Sequence, residues 1–379
     1  MKRFPFALTV FLAASLAFVV PAHAGLIINA AFDSSITGNA NAASIEAVIE
    51  TAVQTFEDLY TNPITVSILF QEGGGLGQSN DLVYGVSYAN FYSGLVANNA
   101  NPAAIAALNA NGGNPNTNGG VNPVGGVNEI EIKSANARAL GMNIPAGCVV
   151  VPTGAGTSDG NVPNICATSG VGARVDGIVS LNTAITTPPN TQTTPDPIYF
   201  DLLSTAEHEI DEVLGLGSAL ENCDSTSPSG ACQPGATLNA GNDTAFHVGA
   251  PEDLFRWSAA TGGTRTLSTN CTTPTSAYFA YGPSTGAIAQ FNNACNGGDF
   301  GDWQSSPLPP GVNPQVQDAF GGPGEAPAYG TSEIEAMTAI GFQSSAPEPS
   351  TMVLLGAGLA VLAVYRRRRH AGTDASAHD

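Results

Sequence analysis

The residues best suited to chemistry lie in Ala206–Ser218, which reads AEHEIDEVLGLGS. His208 and Glu212 are spaced i and i+4, so on a helix they share one face and lie one turn apart. An imidazole and a carboxylate at this spacing can bind one metal ion, and Glu209 could serve as a general base for hydrolysis. A solvated helix face that happens to carry His and Glu is the ordinary alternative for so short a pattern.

Histidine is scarce, and this narrows the choice of ligands. Of five histidines, three lie in the terminal segments, which leaves His208 and His247 in the body of the chain. The intervening loop could fold His247 back over the helix. His208, Glu212 and His247 are then the expected metal ligands, since two histidines and one glutamate bind zinc in thermolysin-type sites. A hydrogen-bonded loop histidine is the alternative for His247.

Acidic residues further along the chain offer other roles. Glu252 and Asp253 compete for the place of the third ligand, or could orient a ligand from behind. Asp299 and Asp302, in GGDFGDW, could bind Ca²⁺, although aspartates that form turns are the simpler interpretation. If the protein is a hydrolase, the residues that could stabilise the developing oxyanion are Tyr278, Tyr281 and Arg256.

The elements that must position these residues follow from hydrophobic periodicity and turn residues. The site residues are expected on a helix over Tyr199–Leu214, which Gly215 and Gly217 terminate. The pattern also predicts helices at 45–60, 102–108 and 333–340. It predicts strands at 64–70, 82–91, 129–133, 176–182, 254–258 and 278–281, with QEGGGLGQS as a turn. This order of elements indicates an α+β fold with an irregular C-terminal part.

The two ends of the chain carry transport signals. Residues 1–24 combine Lys2 and Arg3, an apolar core and an Ala-His-Ala cleavage site, and are predicted to be a secretory signal peptide. Pro347-Glu348-Pro349, an apolar run and the cluster Arg366–Arg369 resemble a PEP-CTERM sorting signal of Gram-negative bacteria. The resemblance implies export by the secretion machinery, transient membrane attachment, cleavage by an exosortase-type enzyme, and a final place at the cell surface or outside the cell. A plain tail anchor is the alternative.

The composition of the domain between the two signals limits the functions that it can have. Residues 25–346 contain 28 acidic residues and five Lys or Arg, and so strong a negative charge disfavours nucleic-acid binding. An even number of cysteines in an exported chain predicts disulfides, with neighbour pairing as the simplest of the possible connectivities. The candidates are Cys148, Cys166, Cys223, Cys232, Cys271 and Cys295.

HEIDEVLGLGS resembles the zinc motif of the matrixin branch of the metzincin proteases. The chain as a whole is similar to exported PEP-CTERM metalloproteases. The segments that carry this similarity are AEHEIDEVLG, PEDLFRWSA, NGGDFGDW and EIEAMTAIGF. The resemblance implies a metzincin-like twisted sheet, two long helices and a disulfide-bearing, irregular C-terminal part. Two ligand positions of that family are replaced, by Glu212 and Ser218. The methionine turn has no counterpart, because Met337 lies in a predicted helix.

Together these features predict the following organisation. Residues 1–24 are the signal peptide and 25–217 the N-terminal part of one metalloprotease-like domain, ending in the active-site helix. Residues 218–345 are its C-terminal part, 346–370 the sorting signal with a short apolar helix, and 371–379 a cytoplasmic tail. The expected function is zinc-dependent cleavage of protein or peptide substrates, with one catalytic Zn²⁺. The alternatives are a non-catalytic surface or matrix protein on a degenerate protease scaffold, and a calcium-dependent adhesive module.

Overall fold

The computed structural model describes residues 25–144, 175–186, 196–222, 249–267, 276–294 and 296–345. The strands are β1 (Ile27–Phe32), β2 (Thr65–Glu72), β3 (Gly77–Asp81), β4 (Val83–Ser87), β5 (Glu129–Lys133), β6 (Gly177–Leu181), β7 (Arg256–Trp257), β8 (Ala277–Phe279) and β9 (Ala289–Phe291). The helices are α1 (Ser34–Thr37), α2 (Ala42–Leu59), α3 (Tyr88–Asn98), α4 (Pro102–Ala110), α5 (Ser134–Ala139), α6 (Leu202–Leu214) and α7 (Thr331–Ile340).

The main sheet has the strand order β1-β2-β6-β3. The first three strands run parallel, and β3 runs antiparallel to β6 with Gly77 opposite Leu181 and Asp81 opposite Gly177. Every residue of β6 is buried, as expected for a central strand covered on both faces. The antiparallel strand β3 therefore forms one edge of the sheet.

The two longest helices pack together beside this sheet. Apolar residues of α2 recur every three or four positions and are buried at Ile45, Ile49, Ala52, Val53 and Phe56. Helix α6 contacts α2 on one side and strands β3 and β6 on the other. Its position is consequently determined by the sheet edge, and with it the position of every side chain that the helix carries.

Helix α6 begins and ends at residues with clear physical roles. The side chain of Asp201 accepts a hydrogen bond from Ser204 N at 2.8 Å and caps the first turn. After Leu214 the chain turns at Gly215 and Gly217, and Gly217 has a φ of 125°, a conformation that favours glycine. The predicted termination of the helix at these glycines is confirmed.

The remaining elements form two small sheets. Strands β4 and β5 make an antiparallel pair, and β7, β8 and β9 make a three-stranded antiparallel sheet. The rings of Phe279, Phe291 and Trp303 pack together on the latter, with centroids 5.2 to 6.3 Å apart. The segments after β9 are mostly irregular, so the expected α+β class with an irregular C-terminal part is confirmed in its general form.

Several local predictions were wrong. Residues 82–91 are not one strand, since the chain leaves β4 at Ser87 and enters α3, where the Ser87 side chain accepts a hydrogen bond from Asn90 N. QEGGGLGQS holds the start of β3 in addition to a turn, and helix α5 at residues 134–139 was missed. Strand β1 was missed. The expected strand at 254–258 is a 3₁₀ turn followed by the short β7.

All six cysteines, His247 and both terminal signals lie outside the described residues, so the disulfide and membrane-attachment predictions stay predictions. Among the described residues, no helix is both long and apolar enough to cross a membrane.

Strand β6 and helix α6 approach each other closely at Gly177, and this contact gives a stability prediction. A Cβ added there would lie 2.4 Å from Val213 Cγ2, so we expect Gly177→Ala to lower the free energy of unfolding by about 1–3 kcal/mol through overpacking. Urea unfolding measures the difference.

Gly74→Ala is the matched control, since a Cβ at Gly74 meets nothing within 4 Å. The double variant Gly177→Ala/Val213→Ala should recover part of the loss, and an unchanged unfolding midpoint in the single variant would contradict the packing described.

Candidate metal centre

The structure brings His208 and Glu212 of α6 together with Asp302 from the loop after β9. One ligand atom from each of the three lies within 4.8 Å of the other two. His208 Nε2 is 3.7 Å from both Glu212 Oε1 and Asp302 Oδ2. These distances exceed a hydrogen bond, yet two ligands at about 2.1 Å from one zinc ion at a near-tetrahedral angle would be roughly 3.4 Å apart. The spacing leaves room for a shared ion, and it equally suits ion pairs between a protonated His208 and the two carboxylates.

The outer atom of each of these side chains is tied to the protein. His208 Nδ1 lies 2.8 Å from Val316 O, so a proton on Nδ1 leaves the Nε2 lone pair directed at the carboxylates. Ser79 Oγ donates to Glu212 Oε2 at 2.6 Å, and Gln317 Nε2 donates to Asp302 Oδ1 at 2.9 Å. Such outer hydrogen bonds orient the ligands in established metal sites. All three inner atoms are thereby left facing one another.

The electrostatics of the cluster favour a positive charge at its centre. Burial of the His208 imidazole opposes its charged form, but Asp302 and Glu212 outweigh this and raise the pKa of His208 well above its usual value. Burial likewise opposes ionisation of Glu212, yet the neighbouring His208 lowers the pKa of Glu212 to about 2. Burial raises the pKa of Asp302 well above its usual value, so Asp302 ionises here only with a positive charge beside it. A proton on His208 or a divalent metal ion would be such a charge.

Glu209 lies beside this cluster, against the edge strand. A Cβ added to Gly77 of β3 would lie 2.3 Å from Glu209 Oε1, so the carboxyl group touches the strand backbone where only glycine leaves room. Its Oε2 is buried and has no hydrogen-bond partner among the described residues. Burial, followed by the charge of Glu212, raises the pKa of Glu209 well above its usual value. Burial next to a second carboxyl group therefore favours the neutral form of Glu209.

The cluster opens on the side of His208. Its side chain is 15 % exposed, against 7 % for Glu212 and 4 % for Asp302. Asp299 lies on the same side and is exposed as a residue, although burial of its carboxyl group and the charge of Glu212 raise the pKa of Asp299 to about 6. His208 is therefore the most accessible of the three side chains.

Glu252 and Asp253, predicted as ligands or ligand supports, hold the turn that follows α6 instead. Glu252 Oε2 accepts a hydrogen bond from Gly217 N at 2.7 Å. Asp253 accepts from Ser218 Oγ at 2.6 Å and from Ala219 N at 2.9 Å. They are not among the residues whose ligand atoms meet. Ser218, which resemblance placed at a ligand position, is likewise engaged with Asp253.

The residues considered for an oxyanion are used inside the fold. The guanidinium group of Arg256 is buried and donates to Phe300 O and Asn293 Oδ1, both at 2.7 Å. The hydroxyl of Tyr281 accepts a hydrogen bond from Asn101 Nδ2 at 2.7 Å. Tyr278 lies in β8 and is partly exposed.

The sequence paired His208 with Glu212, which the structure also brings together, but considered Asp302 only for calcium or a turn. It also missed Ser79, Val316 and Gln317. The catalytic role of Glu209 stays a prediction. The only signal for Asp302 was its setting in GGDFGDW, a short acidic loop. No signal marked the other three, because Ser, Val and Gln are ordinary residues whose role depends on the neighbours that folding supplies.

Comparison with known proteins identifies the C-terminal segment. Residues 345–369 match the family described as "PEP-CTERM protein-sorting motif". No curated protein and no solved structure matches the chain. The protein is thus an exported PEP-CTERM protein of a Gram-negative bacterium, directed to the cell surface, and its sorting partner is an enzyme of the exosortase type.

Metal binding gives a direct test of this centre. We expect purified protein to bind about one Zn²⁺ per chain, and His208→Ala, Glu212→Ala and Asp302→Ala each to lose it. Removing only the outer hydrogen bond, in Ser79→Ala, should weaken binding by about 10–100-fold. Calorimetric titration of chelator-treated protein measures these affinities.

Two matched controls accompany this series. Asn80→Ala changes the next, exposed residue of β3, and Asp299→Asn removes an aspartate of the same loop that is not in the three-residue cluster; both should keep zinc. His247→Ala decides whether the second histidine is an additional ligand. Zinc retained by Asp302→Ala and lost by His247→Ala would replace the described ligand set by the one expected from sequence.

A pH dependence follows from Glu252. Burial raises its pKa in the folded protein to about 8, above its ordinary value of 4.5. The folded state therefore holds this proton while the unfolded state releases it, and the free energy of unfolding falls as the pH rises from 4.5 to 8. We expect Glu252→Gln, which stays neutral, to raise Tm at pH 8 relative to the natural protein and to change it little at pH 4.5.

Thermal unfolding across this pH range checks the Glu252 prediction. Glu325→Gln is a control for the general effect of removing a negative charge. A Tm difference that is the same at both pH values would show that Glu252 does not carry the proton.

Proposed function

We propose that this protein is an exported, zinc-dependent endopeptidase whose metal ligands are His208, Glu212 and Asp302. The single observation that carries the proposal is that these three side chains present inner atoms to one point, while each outer atom is held by a separate hydrogen bond. One imidazole and two carboxylates are ligand types that Zn²⁺ accepts in proteins, and three protein ligands are typical of catalytic zinc.

A zinc ion bound here would polarise a peptide carbonyl and lower the pKa of a water molecule. Glu209 would take a proton from the attacking water and transfer it to the nitrogen of the leaving amine. In this step a C–O bond forms, the peptide C–N bond breaks, and the proton ends on the new amino group. The position of Glu209 supports this role, because it lies one residue after His208 on the same helix and its Oε2 has no hydrogen-bond partner among the described residues.

The edge strand β3 supports a peptide as the substrate. Within the described part of the chain β3 has one strand partner, β6, so its other edge has no strand bound to it. An extended peptide can pair with such an edge through its backbone. Because Gly77 of β3 touches Glu209, a peptide bound along this edge would pass the proposed base.

A distant relationship to the metzincins is part of the same proposal. It is supported by the HExxE segment on a helix beside an antiparallel sheet edge, by the glycine turn that ends this helix, and by the two long helices α2 and α6. Asp302 then takes the place of ligands that the matrixin motif supplies from its own sequence.

Glu209→Gln tests the proposed reaction. We expect the zinc-loaded variant to keep its metal and to lose about 10²–10⁴-fold in kcat, because the carboxylate that moves the proton is absent. Mixed fluorogenic peptides report hydrolysis, and metal analysis reports loading. Gly77→Ala should show a milder loss, since a Cβ there displaces the Glu209 carboxyl group.

The neighbouring Glu207 provides a matched control, since it is buried on the same helix and bonds to Thr55 of α2. Glu207→Gln should keep both metal and hydrolysis. Zinc-loaded natural protein that cleaves no peptide of a diverse set would instead support the second function considered from sequence, a non-catalytic surface protein.

A further inference from the structure

A buried glutamate on α7 bonds to both irregular segments that take part in the metal centre. Glu333 lies in the first turn of α7 and is fully buried. Its carboxylate accepts hydrogen bonds from four donors, which are Trp303 Nε1, Gln317 N, Gly330 N and Ser332 Oγ. A carboxylate has about four positions that can accept a hydrogen bond, so these donors use its full capacity. The side chain of Glu333 is therefore held in one orientation.

The two oxygens of Glu333 have different partners. Oε2 accepts from Gly330 N at 3.2 Å and from Ser332 Oγ at 3.0 Å, as expected for a glutamate that caps the start of its own helix. Oε1 accepts from Trp303 Nε1 and from Gln317 N, both at 3.3 Å, and these donors come from two separate segments outside the helix. Helix capping explains the bonds of the first oxygen and leaves those of the second unexplained.

The bond to Gln317 reaches His208 through a single peptide group. The N–H of Gln317 and the carbonyl of Val316 belong to the same planar group, in which they point in opposite directions. Glu333 Oε1 accepts from the N–H, and the carbonyl oxygen lies 2.8 Å from His208 Nδ1. Turning this peptide group would break both hydrogen bonds, so Glu333 fixes the direction of the acceptor for the imidazole. A hydrogen bond at the N–H also strengthens the carbonyl oxygen as an acceptor.

The bond to Trp303 restrains the segment that carries Asp302. Trp303 follows Asp302 directly in the chain and is fully buried, with its ring packed on the aromatic residues of the small sheet. The indole N–H donates to Glu333, and Gln317 Nε2 donates to Asp302 Oδ1 at 2.9 Å. Asp302 is thus restrained through its neighbour in the chain and through its own side chain, and both restraints lead to Glu333.

We propose that Glu333 is a positioning residue of the metal centre. Through the adjoining peptide group it holds the His208 imidazole, and through Trp303 it holds Asp302. This inference rests on the proposed function and adds to it a residue that bonds to the supports of the ligands. Because one oxygen serves both segments, the two ligands keep a fixed separation. The bonds of the other oxygen tie this arrangement to α7, a regular element.

Glu333→Gln tests this role with little change of volume, because an amide has one acceptor oxygen in place of two. We expect the affinity for zinc, measured by competition with a chromogenic chelator, to fall about 10–100-fold. We also expect the proton on His208 Nδ1 to exchange with solvent about tenfold faster, because its acceptor is no longer held. Heteronuclear NMR of the metal-free protein reports this proton without any bound ion.

Two matched controls on α7 separate positioning of the ligands from support of the helix. Ser332→Ala removes a donor to Oε2 and leaves both donors to Oε1. Glu335→Gln makes the same substitution at a partly exposed position of the same helix. Both variants should keep the zinc affinity and the His208 proton exchange of the natural protein.

Trp303→Phe separates the two routes from Glu333 and also tests the inference if Glu333→Gln does not fold. It keeps an aromatic ring but loses the indole donor, so it should weaken zinc binding while the His208 proton exchanges as before. Unchanged zinc affinity and exchange in Glu333→Gln, or an equal loss in Ser332→Ala, would overturn the positioning role. Natural protein that binds no zinc would refute the proposed function, and the exchange of the His208 proton then decides the role of Glu333 alone.

Discussion

The candidate site depends on three side chains, His208, Glu212 and Asp302, whose inner atoms lie within 4.8 Å of one another. His208 Nε2 stands 3.7 Å from both carboxylate oxygens, and the outer atoms of all three side chains are tied to Ser79, Val316 and Gln317. Burying two carboxylates beside each other costs free energy unless a positive charge compensates. A proton on His208 or a divalent cation would supply that charge.

Helix α6 buries more acidic side chains than the stability of the fold requires. The acidic residues Glu207, Glu209, Asp211 and Glu212 are all at most 6 % exposed as residues. Tyr329 donates to Asp211 at 2.9 Å, and burial raises the pKa of Asp211 well above its usual value. A helix selected only for packing would place apolar residues at these positions. Local departures from such rules are expected where a site, rather than stability, determines the residue.

The irregular C-terminal half completes the centre. Asp302 and the acceptor of His208, Val316 O, come from segments with little regular structure, yet Trp303 N donates to Gln317 O at 2.8 Å and ties the two segments together. The indole of Trp303 packs on Phe279 and Phe291 of the small sheet. Loops anchored in this way can hold a ligand as firmly as a helix does, which is why loops so often carry function.

The amino-acid sequence by itself determined the features that depend only on residues close together along the chain. The i, i+4 pair His208 and Glu212, the base candidate Glu209, the glycine stop of the helix and the sorting signal are all local patterns. Strand β3 and the switch from β4 to α3 escaped prediction, because short polar runs such as GQSND acquire strand structure only when they pair with a partner like β6. Only the tertiary structure decided that Asp302 joins the pair and that Val316, 108 residues after His208, orients its imidazole. These contacts join segments that are far apart in the sequence, so no periodic pattern of residues marks them.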